Sequence, residues 1–136
     1  MKAICKFLLF LCVFAWISCE ENTDPVIDDS DLLIGYWVNP VGIDTLLKYE
    51  RAGGLKEDAY SFGFKTGYSF VERKNEGWCG TPPVILKDYQ GTWAKHDSLI
   101  DIDVPYWGGM AHYQWKIISL DNSSLTIATV KQEYKE

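Results

Sequence analysis

Beyond residue 31 the chain alternates. Tyr60, Phe62 and Phe64 are separated by Ser61 and Gly63, and Tyr68 and Phe70 by Ser69. Ile100, Ile102 and Val104 oppose Asp101 and Asp103; Tyr113, Trp115 and Ile117 oppose His112, Gln114 and Lys116; Leu125, Ile127 and Thr129 keep the same rhythm. Successive side chains of a strand point to opposite faces, so a period of two buries one face and wets the other. No stretch holds the 3.6-residue spacing of an amphipathic helix for three turns. Turn formers punctuate the runs at Asn39-Pro40, Gly53-Gly54, Lys65-Thr66-Gly67, His96-Asp97, Gly108-Gly109 and Asp121-Asn122. The pattern predicts about eight strands, near 33–39, 44–51, 58–64, 67–74, 86–95, 98–104, 111–119 and 124–132. An all-β, antiparallel, up-and-down barrel suits them, because closure removes exposed sheet edges. A sandwich or partly open barrel is the other arrangement such strands could take.

The N-terminal end follows a different logic. Lys2 and Lys6 precede eleven uninterrupted apolar residues, 7–17. That is the length of a signal-peptide core and short of the ~18–20 residues needed to span a bilayer. Ser18 and Cys19 follow at once. The arrangement resembles the lipobox of bacterial lipoproteins, with Trp16 standing where that family has an aliphatic residue. The resemblance implies that residues 1–18 are removed as a signal peptide, that the Cys19 thiol is joined to diacylglycerol, and that its new amino terminus is acylated, as by palmitate. An ordinary secretory signal containing Cys19 is the plainer reading. Cys5 and Cys12 would leave with the signal, so Cys79 would be alone and no internal disulfide could form. Lone cysteines of this kind are most often packed rather than catalytic.

Residues 19–31 carry six acidic side chains and no basic one. Such a stretch repels itself and stays solvated, and it is expected to act as a tether ahead of a single domain, 32–136. Most of the formal charge of −6 sits there, since residues 32–136 hold 11 basic and 13 acidic side chains. Neither part has the clustered Lys and Arg that nucleic acid demands. Acidic residues behind a lipidated cysteine also resemble the surface-export signal of one group of Gram-negative bacteria. The resemblance implies an outer-membrane protein facing the cell exterior; a spacer holding the domain clear of the membrane on the periplasmic side is the alternative.

At the head of the first strand stands Gly35-Tyr36-Trp37, a Gly-x-Trp. With eight strands behind it, the chain resembles the lipocalin-like (calycin) families, most closely the small domains found on bacterial lipoproteins. The resemblance implies that Trp37 packs across the closed base of the barrel, with Gly35 beside it as a structural residue. Gly91-Thr92-Trp93 is a second, weaker echo of the motif.

A barrel of eight strands can be filled by side chains or can hold one small ligand. Tyr60, Phe62, Phe64, Tyr68, Phe70, Tyr113 and Trp115 are the expected interior. Two segments, 76–83 and 105–110, combine Trp78, Tyr106 and Trp107 with Gly and Pro. As the connections after strands 4 and 6 they should share a rim with Gly53-Gly54, where their rings could stack on a sugar-like or apolar ligand or fold inward as a plug. In lipocalins the mouth lies at the other end, so the resemblance implies that these loops decorate the closed end.

Elements of catalysis are sparse. His96 lies in a polar turn, His112 begins a strand, and Asp101 and Asp103 share one face of another. A metal site would need those carboxylates to converge with His112, and none is expected. No nucleophile elbow, phosphate-binding Gly loop or Cys-x-x-Cys exists. Asp44-Thr45-Leu46 and Asp97-Ser98-Leu99 resemble a bacterial O-glycosylation motif, which implies modification of Thr45 and Ser98; Asn122-Ser123-Ser124 reads as a turn. The expectation is a non-catalytic binding domain without a cofactor. It would take a small apolar or sugar-like ligand, or else another surface protein, as an inhibitor or accessory subunit working through its aromatic loops. An enzyme built on Asp101, Asp103 and His112 is the remaining alternative.

Overall fold

In the computed structural model, which describes residues 32–77 and 83–136, the alternating runs become eight strands of one closed barrel. They are β1 (Gly35–Ile43), β2 (Leu46–Ala52), β3 (Ser61–Lys65), β4 (Ser69–Asn75), β5 (Leu86–His96), β6 (Leu99–Tyr106), β7 (Gly109–Leu120) and β8 (Ser124–Lys135), and every neighbouring pair is antiparallel. The segments expected to be a signal peptide and a tether, with Cys19, lie outside the described residues, as do Trp78 and Cys79.

The strand order departs from a simple up-and-down path at one hairpin. β3 to β8 run in chain order, but β1 pairs with β3 and β2 closes the barrel against β8. Residues 53–60 must therefore cross β1 to reach β3. Lys56 fixes the crossing: its Nζ donates to Asn39 Oδ1 (2.8 Å) and its carbonyl accepts from Arg73 Nη1 (3.0 Å). Val38, out of phase with Trp37 and so on the outer face, is buried all the same. Asn39-Pro40 makes a bulge rather than the expected turn. Asn39 takes φ 53°, a conformation Asn tolerates, and β1 continues to Ile43 with its register shifted.

This exchange decides what each end of the barrel holds. The β3–β4, β5–β6 and β7–β8 turns gather at one end, with the start of β1 and the end of β2. The 44–45 turn, the end of β4, the start of β5, the 107–108 turn and the end of β8 gather at the other. Gly53-Gly54 therefore leaves from the end opposite Tyr106 and Trp107, not from a shared rim.

The first end is closed by Trp37. Its ring is fully buried, its Nε1 donates to the Leu33 carbonyl (3.0 Å), and the Arg51 guanidinium lies 4.4 Å from its centroid. Arg51 in turn donates to the carbonyls of Leu32, Ile34 (2.8 Å) and Asn122 (2.7 Å), tying the entry of the chain to the β7–β8 turn. A Cβ at Gly35 would stand 2.3 Å from that guanidinium, and its φ is +145°. The Gly of the Gly-x-Trp is thus the space that lets Arg51 reach over the Trp.

Behind this cap the interior is aromatic. Phe62 meets Tyr49 (4.8 Å), Trp115 (5.1 Å), Phe64 (5.6 Å) and Phe70 (5.8 Å), and Trp93 packs on Phe64 (5.3 Å). Tyr68 is the exception among the expected interior residues. The 3-10 turn Thr66–Tyr68 takes it up with φ 59°, β4 starts one residue later, and the side chain is 66% exposed.

Candidate functional site: a cup at the open end

Towards the other end the filling stops. A cavity of about 480 Å³ opens there, within the size range of small-molecule sites. Its apolar lining is Leu47, Ile127 and Trp115, and its polar lining is largely tyrosine: Tyr49, Tyr60, Tyr113 and Tyr134. Tyr49 and Trp115 rest on Phe62, so the floor of the cup is the top of the packed core.

Glu72 sits at this boundary, only 2% exposed. Phe70, Glu72 and Lys74 occupy alternate positions of β4 and so point the same way, into the barrel. A carboxylate there requires hydrogen bonds, because an unpaired buried charge costs several kcal/mol. It has three. Tyr60 donates to Oε1 (2.8 Å), while Lys74 (2.6 Å) and Tyr113 (3.2 Å) donate to Oε2. Lys74 also donates to the Tyr113 hydroxyl (3.2 Å), and its ammonium lies 5.1 Å from the Tyr89 ring centroid.

Burial, and after it the neighbouring Glu72, pushes the phenols of Tyr49, Tyr60 and Tyr113 well above their ordinary range. An unfolded tyrosine ionises near pH ~10. Below that pH the contribution to stability is complete. Above it the unfolded chain releases protons that the native state retains, so stability falls as pH rises, by roughly 1 kcal/mol per pH unit for Tyr60 alone. Alkaline melts followed by tyrosinate absorbance should show these phenols appearing only on unfolding, and Tyr60→Phe should shallow the decline. A smooth titration of every tyrosine near pH ~10 with the fold intact would contradict it.

Aromatic side chains continue outward from the cup. Tyr113 and Trp115 are parallel (4°, centroids 5.7 Å apart), Tyr134 stands edge-on to Tyr113 (6.4 Å) and to Tyr106 (5.1 Å), and Trp107 packs edge-on to Tyr106 (5.6 Å). Tyr106 is half-buried against the core and Trp107 is exposed on the rim. Exposed apolar side chains also stand at this end: Val41, Ile43 and Leu46 of the β1–β2 hairpin, Val84 and Ile85 ahead of β5, and Met110 near the start of β7, beside the exposed Asp44, Thr45 and Glu76.

The chain matches no family model, no curated protein and no solved structure. The eight-stranded antiparallel barrel is compatible with a lipocalin-like fold. The mouth differs from the expected one. It holds the β1–β2 connection together with β4–β5 and β6–β7, so Tyr106 and Trp107 border the open end rather than the closed one.

The other residues singled out in the sequence fall elsewhere. Thr45 and Ser98 occupy exposed two-residue turns at opposite ends of the barrel. Asp101, Asp103 and His112 do converge, with His112 Nδ1 2.8 Å from Asp103 and Nε2 3.8 Å from Asp101, but on the outer wall of β6 and β7, where Asp103 is 59% exposed. Among the described residues no group of three or more His, Cys, Asp or Glu is placed to hold a metal ion. Sequence reasoning missed several lining residues, Tyr49 and Tyr134 among them, and above all the charged Glu72 and Lys74. The signal for these last two was their phase, in step with Phe70 along one strand.

Proposed function

We propose that this protein is a lipid-anchored outer-membrane lipoprotein, displayed towards the cell exterior, whose barrel binds a small molecule in the cup without transforming it. The observation that carries the binding reading is the cup itself: a cavity of about 480 Å³ whose floor pairs rings with a hydrogen-bonded Glu72–Lys74 couple. The anchor rests on Cys19 and the residues before it. The two halves fit together, because the chain enters the barrel at Leu32, against Arg51 at the closed end, leaving the mouth on the far side.

The binding test is native mass spectrometry of protein purified from its own host. A small molecule should be retained by wild type and lost from Thr129→Trp, which places an indole in the cup wall. No retained mass in wild type, or the same retained mass in both, defeats the binding reading. The anchor is tested separately, since Cys19→Ala should abolish palmitate labelling and release the protein from the membrane fraction.

A second reading has its own observation. The exposed apolar side chains Val41, Ile43, Trp107 and Met110 encircle the mouth, and a protein partner could cover them. Ile43→Asp together with Trp107→Asp would break such a complex while leaving small-molecule retention intact.

A further inference from the structure

We propose that the cup selects an uncharged, ring-bearing ligand with one hydroxyl or carbonyl oxygen, and that this oxygen accepts a hydrogen bond from Lys74. The inference deepens the small-molecule reading above and rests on it.

Charge comes first. Among the described lining residues only Glu72 and Lys74 carry charge, and at 2.6 Å they cancel each other. An ionic ligand would lose its hydration and find no unspent counter-ion, a poor exchange in a partly buried site. The donors decide the rest. The Glu72 carboxylate accepts from Tyr60, Tyr113 and Lys74, and at 2% exposure it offers a newcomer no open approach. Lys74 has three N–H bonds, and among the described residues it gives one to Glu72 and one to Tyr113. The third has no acceptor among them, and the side chain is 15% exposed, on the cup side of the pair. Tyr60 and Tyr113 spend their protons on Glu72, and the Tyr113 oxygen already accepts from Lys74, so Tyr60 is the hydroxyl that offers acceptor capacity to a newcomer. The site therefore presents one charge-assisted donor beside a hydroxyl acceptor. A ligand hydroxyl can use both, and a carbonyl can use the first. Beside this pair, Trp115, Tyr113 and Tyr134 face a cavity also lined by Leu47 and Ile127, surroundings that suit an aromatic or other ring body.

Four probes with one body and different heads test this by titration calorimetry on the full protein purified from its host: 2-naphthalenemethanol, 2-naphthoate, 2-naphthylmethylammonium and 2-methylnaphthalene. The alcohol should bind about ten-fold or more tighter than each of the others, the worth of one hydrogen bond to a charged donor. Lys74→Met should erase the preference of alcohol over 2-methylnaphthalene. If that variant folds poorly, Glu72→Gln combined with Lys74→Met removes the charge and the donor together and should erase it equally. Binding of 2-methylnaphthalene as tight as that of the alcohol, or preference for either ion, overturns the inference and leaves the binding reading standing. A preference that survives both variants overturns the role of Lys74. Failure of all four probes to bind overturns the inference, and the binding reading falls with it only if the host-purified protein also retains no mass.

Discussion

Trp37→Ala should unfold much of the protein near physiological temperature. The substitution empties the largest fully buried side chain from the closed end, and replacements of this type cost about 3–5 kcal/mol. It also strands the Leu33 carbonyl and removes the ring beneath Arg51, a residue that joins the entry of the chain to the β7–β8 turn. Against a typical stability of about 5–15 kcal/mol the loss takes a large share. For a domain of this size the midpoint should drop by roughly 15–25 °C in a melt followed by circular dichroism. Trp37→Phe should fall between, since it keeps a ring but not the N–H. Trp107→Ala, on the exposed rim, should move the midpoint little. A Trp37→Ala protein melting within a few degrees of wild type would show that the cap is not what closes the barrel.

The second large effect is expected at the cup floor, and it is asymmetric. Lys74→Met should cost about 2–3 kcal/mol, because it leaves the Glu72 carboxylate buried without its cation. The value belongs at the lower end of the range for broken buried pairs, since the cup lets water approach Lys74. Glu72→Gln should cost less. The amide oxygen still accepts from one tyrosine while its NH2 can donate to the hydroxyl of the other, and the ammonium left behind is on the wetter side of the pair. The two changes should not add: the double variant should be more stable than Lys74→Met alone. Urea unfolding of the four proteins closes this cycle. Strict additivity would mean that the pair is two independent groups.

The two predictions concern residues of different legibility. Trp37 was visible in the sequence because Gly-x-Trp is a short local motif: Gly35 leaves the room in which Arg51 covers the Trp37 ring. Glu72 and Lys74 were not singled out, because a charged residue in a strand normally marks its wet face. Here the phase set by Phe70 outweighs that habit, and the partners that make burial tolerable, Tyr60 and Tyr113, come from 12 and 41 residues away. Tyr68 failed in the opposite direction. Alternation extrapolated it into the barrel, but the β3–β4 connection needed one more residue, and a turn takes side chains out of phase.

Period-two alternation and turn chemistry were enough to determine about eight antiparallel strands and the aromatic character of the interior, because each of these depends on which face a side chain takes. Which strand lies beside which, and so whether the sheet closes, is a different quantity. It is set by pairings between residues far apart in the chain, and alternation is the same for any neighbour. Only the tertiary structure could place β2 against β8 and β1 against β3, and with those pairings it closed the barrel and left a cup, with the Glu72–Lys74 pair in its wall, in a barrel that the side chains fill only partway.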